Sequence, residues 1–246
     1  MNARQFFELV RQLPLAPWQD LTGGRPFVVL SPHPDDESLG VGGLVALARR
    51  DRQDVSVIVA TDGSGSHPRS ISYPRERLIA TRKAELAEAG RILGLPPERM
   101  HHLGLKDTAM PTQGPAFEQA VAAVSDVVER SGAATLFVTW GGDPHCDHQA
   151  AALLAAAVRR RNPSLTLWAY PIWGWHLPGE TDVAATAPRG CCIDIADVLA
   201  VKRAAIDAHV SQMTDLIADD PDGFRFRDET LAPFLGRYEY FIEMSA

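Results

Sequence analysis

The sequence predicts an α/β fold of three layers, with a mostly parallel sheet and helices on both of its faces. Three observations predict it. Short apolar runs recur along the chain, each bounded by turn residues. Stretches with apolar residues at helical spacing lie between them, and strands that alternate with helices of this length pair in parallel through right-handed crossovers. The chain has 246 residues and carries neither an internal repeat nor a low-complexity linker, so a single domain over 1–246 is the simpler organisation.

Residues 26–31 (PFVVLS) form a continuous apolar run, as a strand buried on both faces requires, and 39–50 follow as a helix. Residues 55–60 (VSVIVA) are rich in β-branched side chains and make the clearest second strand, closed by the polar, glycine-bearing 61–66. Between 75 and 93, Ile79, Leu86, Ala89 and Leu93 recur at helical spacing, and Gly94, Pro96 and Pro97 stop the pattern. A short strand over 100–103 precedes a helix with Phe117, Val121, Val124 and Val128 on one stripe. Residues 135–139 (TLFVT) read as a strand, 147–160 as a helix and 165–170 as a strand. Proline, glycine and tryptophan then accumulate over 171–190, which reads as an ordered loop. A strand over 191–194, a helix over 195–209, a polar, mobile loop over 219–227 and an aromatic tail with Tyr238, Tyr240 and Phe241 complete the chain. This order of elements is Rossmann-like.

Charge and hydropathy exclude several partners. A net charge of -7 argues against nucleic acid, because phosphate binding needs a basic field. The basic stretch over 69–83 is interrupted by Glu76 and aliphatic residues and reads as a solvated helix face, or at most as a local patch for an anionic substrate group. The longest apolar run, 150–158, falls well short of the ~20 residues that span a bilayer, so no membrane insertion is expected. Residues 1–18 carry Arg4, Glu8 and Arg11 and lack the apolar core of a signal peptide. Cys146, Cys191 and Cys192 cannot build a disulfide framework, and a reducing, cytoplasmic location is expected. A homo-oligomer is compatible with all of this.

The chemistry concentrates in two clusters. The first, 31–37 (SPHPDDE), directly follows the first strand, at the carboxyl edge where open parallel sheets bind ligands. Three acids and a histidine within five positions repel one another unless a cation or proton intervenes, and a metal resolves the conflict. The second cluster, His145, Cys146, Asp147 and His148, follows the strand over 135–139 and its exit Gly141-Gly142. If the two strands are neighbours, the loops converge. A histidine and a carboxylate from the first loop with a histidine from the second give two imidazoles, one carboxylate and an open position, the ligand count of a catalytic zinc site. Asp35 then remains as a spare base for zinc-activated water, and a protonated His145 can face the oxyanion that forms on an amide carbonyl.

On these residues the sequence resembles the PIG-L or LmbE-like zinc-dependent de-N-acetylases, which include deacetylases of N-acetylglucosamine derivatives. The resemblance rests on His33-Pro34-Asp35-Asp36-Glu37 and on His145-x-Asp147-His148. Softer matches are Arg82 with Glu85, Leu103-Gly104-Leu105 before Asp107, and Lys202 with His209 and Ser211-Gln212. It implies a Zn2+ cofactor held by His33, Asp36 and His148, Asp35 as general base, His145 as oxyanion stabiliser or acid, and Asp147 orienting a neighbouring histidine. It also implies a small N-acylated substrate, in keeping with a sugar derivative, with Arg82 and Asp107 at its pocket. Cys146 stands where such proteins usually carry proline and places a thiol beside the metal motif that could serve as a soft ligand or a redox-sensitive group; Asp143 lies where some sugar deacetylases of the family carry a tyrosine, a departure that bears on substrate identity. Asp143 and His209 complete the expected substrate contacts.

Plainer readings stand beside these. One acid of SPHPDDE suffices to cap the following helix, as Asp36 or Ser38 would, which leaves the other acids and the histidine without a purpose. His67, His101, His102 and His176 lack metal-site context and read as surface or satisfied core. Trp168, Trp173 and Trp175 read as core packing, or as an aromatic wall for a sugar ring. Three other functions compete. Gly40-Val41-Gly42-Gly43-Leu44-Val45 fails the G-x-G-x-x-G pattern of a NAD-type oxidoreductase at its last position, and an acidic loop repels pyrophosphate. A non-haem iron enzyme uses the same ligand set. A metal-holding module without turnover has no need of the spare base Asp35.

Overall fold

The computed structural model describes residues 1–183 and 186–244. Two N-terminal helices, α1 (Ala3–Arg11) and α2 (Trp18–Thr22), lead into β1 (Phe27–Ser31), α3 (Asp36–Arg50), β2 (Val55–Thr61), α4 (Arg75–Ile92), β3 (Met100–Leu105) and α5 (Gly114–Ser131). Next come β4 (Thr135–Thr139), α6 (Cys146–Arg161), β5 (Thr166–Tyr170), β6 (Gly190–Asp194), α7 (Leu199–Asp207) and the single turns α8 (Val210–Met213) and α9 (Asp228–Leu231). The last strand is β7 (Tyr238–Glu243).

The strands form one seven-stranded sheet in the order β3-β2-β1-β4-β5-β7-β6. All pairs from β3 to β5 are parallel, while β7 runs antiparallel to both β5 and β6. The expected architecture is therefore present, with one antiparallel strand. β1 and β4 are neighbours, Phe27 opposite Thr135 and Leu30 opposite Val138. The chain turns one way from β1 toward β2 and the other way from β4 toward β5, so the crevice at the ends of β1 and β4 is the topological switch point.

Both faces of the sheet are buried because successive β1 residues point to opposite sides. Phe27 and Val29 join Leu44, Leu86, Ala89 and Ile206 on the side of α3, α4 and α7, whereas Val28 and Leu30 join Val121, Val124, Ala151 and Leu154 on the side of α5 and α6. Each such fully buried side chain contributes roughly 1.5–3 kcal/mol relative to an exposed one. The glycines that resembled a dinucleotide fingerprint serve packing. A Cβ on Gly40 would meet the Tyr170 ring at 2.1 Å, and one on Gly43 would meet Ile195 at 2.6 Å.

Several elements depart from expectation. Residues 1–18 hold a capped amphipathic helix: Asn2 and Gln5 form a capping box, and Phe6, Phe7 and Val10 pack on Trp140, Ala169 and Ile242. The helix expected over 195–209 ends at Asp207, so His209 lies beyond it. The aromatic tail is an inner strand, β7, whose buried Glu239 pairs with Lys202 at 2.7 Å and accepts the amides of Gly43 and Leu44. The loop expected over 171–190 contains a 3-10 turn over Trp173–His176, and 184 and 185 lie outside the described residues. The segment over 219–227, expected as a mobile polar loop, is laced down: Phe226 is buried, and the amides of Phe224 and Phe226 donate to Ser66 O and Gln212 O at 2.8 Å. No helix among the described residues is long and apolar enough to cross a membrane.

Candidate metal centre

The loop after β1 ends in a strained turn. Asp35 has φ 145°, a backbone conformation rare for any residue with a side chain, and α3 begins at the next residue. The plain capping reading fails here: Asp36 and Ser38 both lie inside the first turn of α3, and the residue at the N-cap position, Asp35, makes no side-chain cap hydrogen bond. Asp36 and Glu37 occupy the first helical turn, where the helix dipole favours negative charge. The loop after β4 ends at His145, the N-cap of α6, whose Nδ1 accepts the Asp147 amide at 3.2 Å.

Three donor atoms from these loops form a triangle. His33 Nδ1 lies 3.1 Å from Asp36 Oδ2, His148 Nε2 lies 3.2 Å from the same oxygen, and the two nitrogens are 3.2 Å apart. An ion bound tetrahedrally at ~2.0–2.1 Å needs donors roughly 3.3 Å apart, so the spacing fits. The far nitrogens fit as well. His33 Nε2 faces Asp147 Oδ2 at 3.2 Å and Asp107 Oδ1 at 3.3 Å, and His148 Nδ1 faces Asp143 Oδ1 at 3.3 Å. Carboxylates behind the far nitrogens keep the protons there and leave the lone pairs on the triangle.

Two other groupings bring candidate ligand atoms within 4.8 Å: His33 with His145 and His148, and His33 with Asp107 and Asp147. The second set backs His33, since Asp147 also accepts the amides of Thr108 and Met110, and Asp107 accepts that of Gly65. His145 has spent Nδ1 on the Asp147 amide and offers only Nε2. Cys146 belongs to no such group among the described residues; its Sγ lies 3.8 Å from Thr108 O and from Asp147 Oδ1. None of these groups contains His67, His101, His102 or His176 either.

Electrostatics agree with the geometry. Burial alone would lower His33, yet Asp107, Asp147 and Asp36 together outweigh it and hold the imidazole well above its ordinary range. Burial likewise opposes the charge on His148, but Asp36 and Asp143 push it up to about 9. For Asp36 burial works against ionisation, and His148 and His33 overcome it, keeping the carboxyl well below the usual range. Protons on the imidazoles thus balance the acids, a task that a cation on the triangle would take over. Burial pushes Asp35 up to about 7, against the pull of the Arg82 guanidinium.

A cleft of about 200 Å³ opens on this cluster, lined by His33, Asp35, Asp36, Arg82, Asp107 and His145 on one side. Gly65, Ser66, Thr108 and Gln212 add polar groups, and Trp173, Phe224 and Phe226 form an aromatic wall. Trp173 stacks on Phe226 with ring centroids 5.6 Å apart and meets Phe224 edge-on at 5.4 Å. Of the three tryptophans, only Trp173 reaches the cleft. Trp168 donates to Leu21 O, and Trp175 packs on Phe7 and Tyr240. Phe224 and Phe226 escaped the sequence reading because they sit among polar residues; their spacing of two was the available signal.

The residues expected at the substrate divide. Arg82 and Asp107 line the cleft, but Arg82 spends its guanidinium on Asp35 Oδ2 at 2.9 Å, Pro34 O at 2.7 Å and Gly63 O at 2.9 Å. Asp143 does not line the cleft: it is fully buried behind His148 and accepts the amides of Ile172 and Gly174. His209 is fully buried too, behind α3, with Nε2 at 3.2 Å from Glu37 Oε1. The expectation of a protonated His145 is also revised. Burial, then His33 and His148, lower its pKa, and an Nδ1 that accepts an amide proton leaves the neutral ring with its N–H at Nε2.

Fold and cluster together define an α/β protein with a crevice whose histidine and aspartate donors are spaced to hold a metal ion. Residues 28–159 match the family described as PIG-L: GlcNAc-PI de-N-acetylase, more than half of the chain, and the chain belongs to that family. A probable N-acetyl-alpha-D-glucosaminyl L-malate deacetylase 2 of Bacillus subtilis (strain 168) is 29% identical over 216 residues, covering 83% of this chain and 91% of that protein. A 1D-myo-inositol 2-acetamido-2-deoxy-alpha-D-glucopyranoside deacetylase of Rhodococcus opacus (strain B4) is 28% identical, over 89% of this chain and 91% of the other. Among solved structures, the N,N'-diacetylchitobiose deacetylase of Pyrococcus horikoshii matches 98% of this chain and 91% of its own with a TM-score of 0.70; at 21% identity this likeness concerns the fold.

Proposed function

We propose that the chain is a zinc-dependent hydrolase that removes the acetyl group from the amide nitrogen of an N-acetylglucosamine derivative. The observation that carries this reading is the triangle of His33 Nδ1, Asp36 Oδ2 and His148 Nε2, with the carboxylate of Asp35, outside that triangle and paired with Arg82, on the adjoining cleft wall. The names of the relatives supply the substrate class, and the aromatic wall beside polar Ser66, Thr108 and Gln212 suits a pyranose ring with its hydroxyls. Absence of a membrane-spanning helix among the described residues and three unpaired cysteines support a cytoplasmic site of action.

A zinc ion on the triangle would supply Lewis acidity, lowering the pKa of a water to about 7 and polarising the amide oxygen. Asp35 takes the proton of the attacking water while a carbon–oxygen bond forms at the acyl carbon, and Arg82 keeps its carboxylate charged and aimed. His145, neutral with its proton on Nε2, donates to the oxygen that gains charge in this step. The proton held by Asp35 then goes to the amide nitrogen as the carbon–nitrogen bond breaks, releasing amine and acetate. Asp147, Asp107 and Asp143 hold the two ligand imidazoles in the tautomer that the ion requires.

A deacetylation assay on a panel of N-acetylated sugars and other N-acyl amides tests the reading. Turnover on at least one N-acetylglucosamine derivative, abolished by chelation and restored by zinc, is expected. Turnover that survives chelation contradicts the metal-dependent route.

A further inference from the structure

Glu37 is fully buried in the first turn of α3, and neither the metal binding nor the proton transfer proposed for this site uses it. Its two oxygens face different tasks. Oε2 accepts the backbone amide of Asp35 at 3.0 Å, reaching back over the turn that carries the positive φ. Oε1 accepts the Ser38 hydroxyl at 2.7 Å and lies 3.2 Å from His209 Nε2, with Ser38 and His209 both fully buried.

A residue with a side chain holds such a backbone conformation only where its surroundings over-determine it, and such strain gathers at functional sites. Asp35 is gripped at both ends. Arg82 holds its carboxylate and the preceding carbonyl of Pro34, while Glu37 holds its amide. Glu37 is immobilised in turn by His209, which arrives from the distant stretch between α7 and α8. Without Glu37 the Asp35 amide would lose its one acceptor among the described residues, and the turn could relax into an ordinary helical start that carries the carboxylate away.

We propose that Glu37 is a positioning residue: it clamps the Asp35 amide, with Ser38 and His209 fixing its own carboxylate, so that the Asp35 side chain stays aimed into the cleft. This assigns His209 to the same clamp rather than to the substrate. The proposal rests on Asp35 as the base of the proposed deacetylation, and its test separates the two ideas.

Wild type, Glu37→Ala and Glu37→Gln are compared by zinc bound per chain, by exchange protection of the labelled Asp35 amide, and by kcat and KM on N-acetylglucosamine. Expected for Glu37→Ala are wild-type zinc content, KM within about twofold, a kcat lower by ~10²-fold as for a misplaced catalytic group, and a deprotected Asp35 amide. Glu37→Gln keeps a carbonyl acceptor and should regain protection and most of kcat. An Asp35 amide as protected in Glu37→Ala as in wild type overturns the clamp, and so does a wild-type kcat per bound zinc. If wild type deacetylates nothing, the functional reading fails, while the exchange measurement still decides the clamp. Should Glu37→Ala not fold, Ser38→Ala should show the same signature at smaller size; wild-type exchange and kcat in that variant would overturn the proposal.

Discussion

The Arg82 guanidinium meets the Asp35 carboxylate at 2.9 Å with both side chains buried, so one cation both favours the charged form of the candidate base and aims it. Burial pushes Asp35 toward neutrality and Arg82 opposes it. Removing the cation therefore raises the pKa of Asp35, and its basic form is lost at a higher pH than in wild type. For Arg82→Lys, which keeps the charge but not the fork to Pro34 and Gly63, kcat should fall with a modest upward move of the acid limb of the pH–rate profile. Arg82→Ala should move that limb further and cost stability as well, about 3–5 kcal/mol for leaving one half of a buried pair. An unmoved acid limb in both variants contradicts the pairing.

In the proposed metal site, Asp143 acts on metal affinity through His148. Asp143→Asn removes the carboxylate behind Nδ1 and should weaken zinc binding about 10–100-fold, with KM at saturating zinc little changed. Competition with a chromophoric chelator reads this directly. A substrate-contact role would instead raise KM at unchanged zinc affinity.

Zinc affinity should climb with pH. His33 and His148 are both raised above their ordinary values, His148 to about 9, so protons occupy the ligand nitrogens below that pH and must leave when the ion binds. The sign is fixed: acid favours protons, base favours zinc. Calorimetry in buffers of different ionisation enthalpy should show net proton release at neutral pH, and binding without proton release would contradict the ligand set.

Trp173→Ala should raise KM several-fold on N-acetylglucosamine derivatives while zinc content and kcat hold. The ring closes the cleft with Phe224 and Phe226 but lies outside the ligand cluster. An unchanged KM assigns Trp173 to packing alone.

The parallel half of the sheet and the converging loops were legible because short-range signals encode them. Continuous apolar runs mark β1, β2 and β4, and two polar clusters follow two of those runs. That β1 and β4 are neighbours was open in the sequence and settled by the sheet order, which puts His33 and His148 in reach. The C-terminal third was less legible. β7 inserts antiparallel between β5 and β6, a pairing that strand–helix alternation does not announce, and no short-range signal marks Glu239 as buried against Lys202. Asp143 and His209, expected at the substrate, lie outside the cleft lining for a related reason. Residue type marks a side chain as capable of touching substrate, but only three-dimensional packing shows that His148 or Glu37 stands in front of it.

The most direct test of the account is kcat of zinc-loaded Asp35→Asn, measured with its zinc content beside wild type. The account predicts one zinc per chain in both proteins and a kcat in Asp35→Asn lower by at least ~10²-fold, the typical contribution of a general base. Equal zinc and equal kcat would contradict the assignment of Asp35 as the base and, with it, the mechanism built on this crevice.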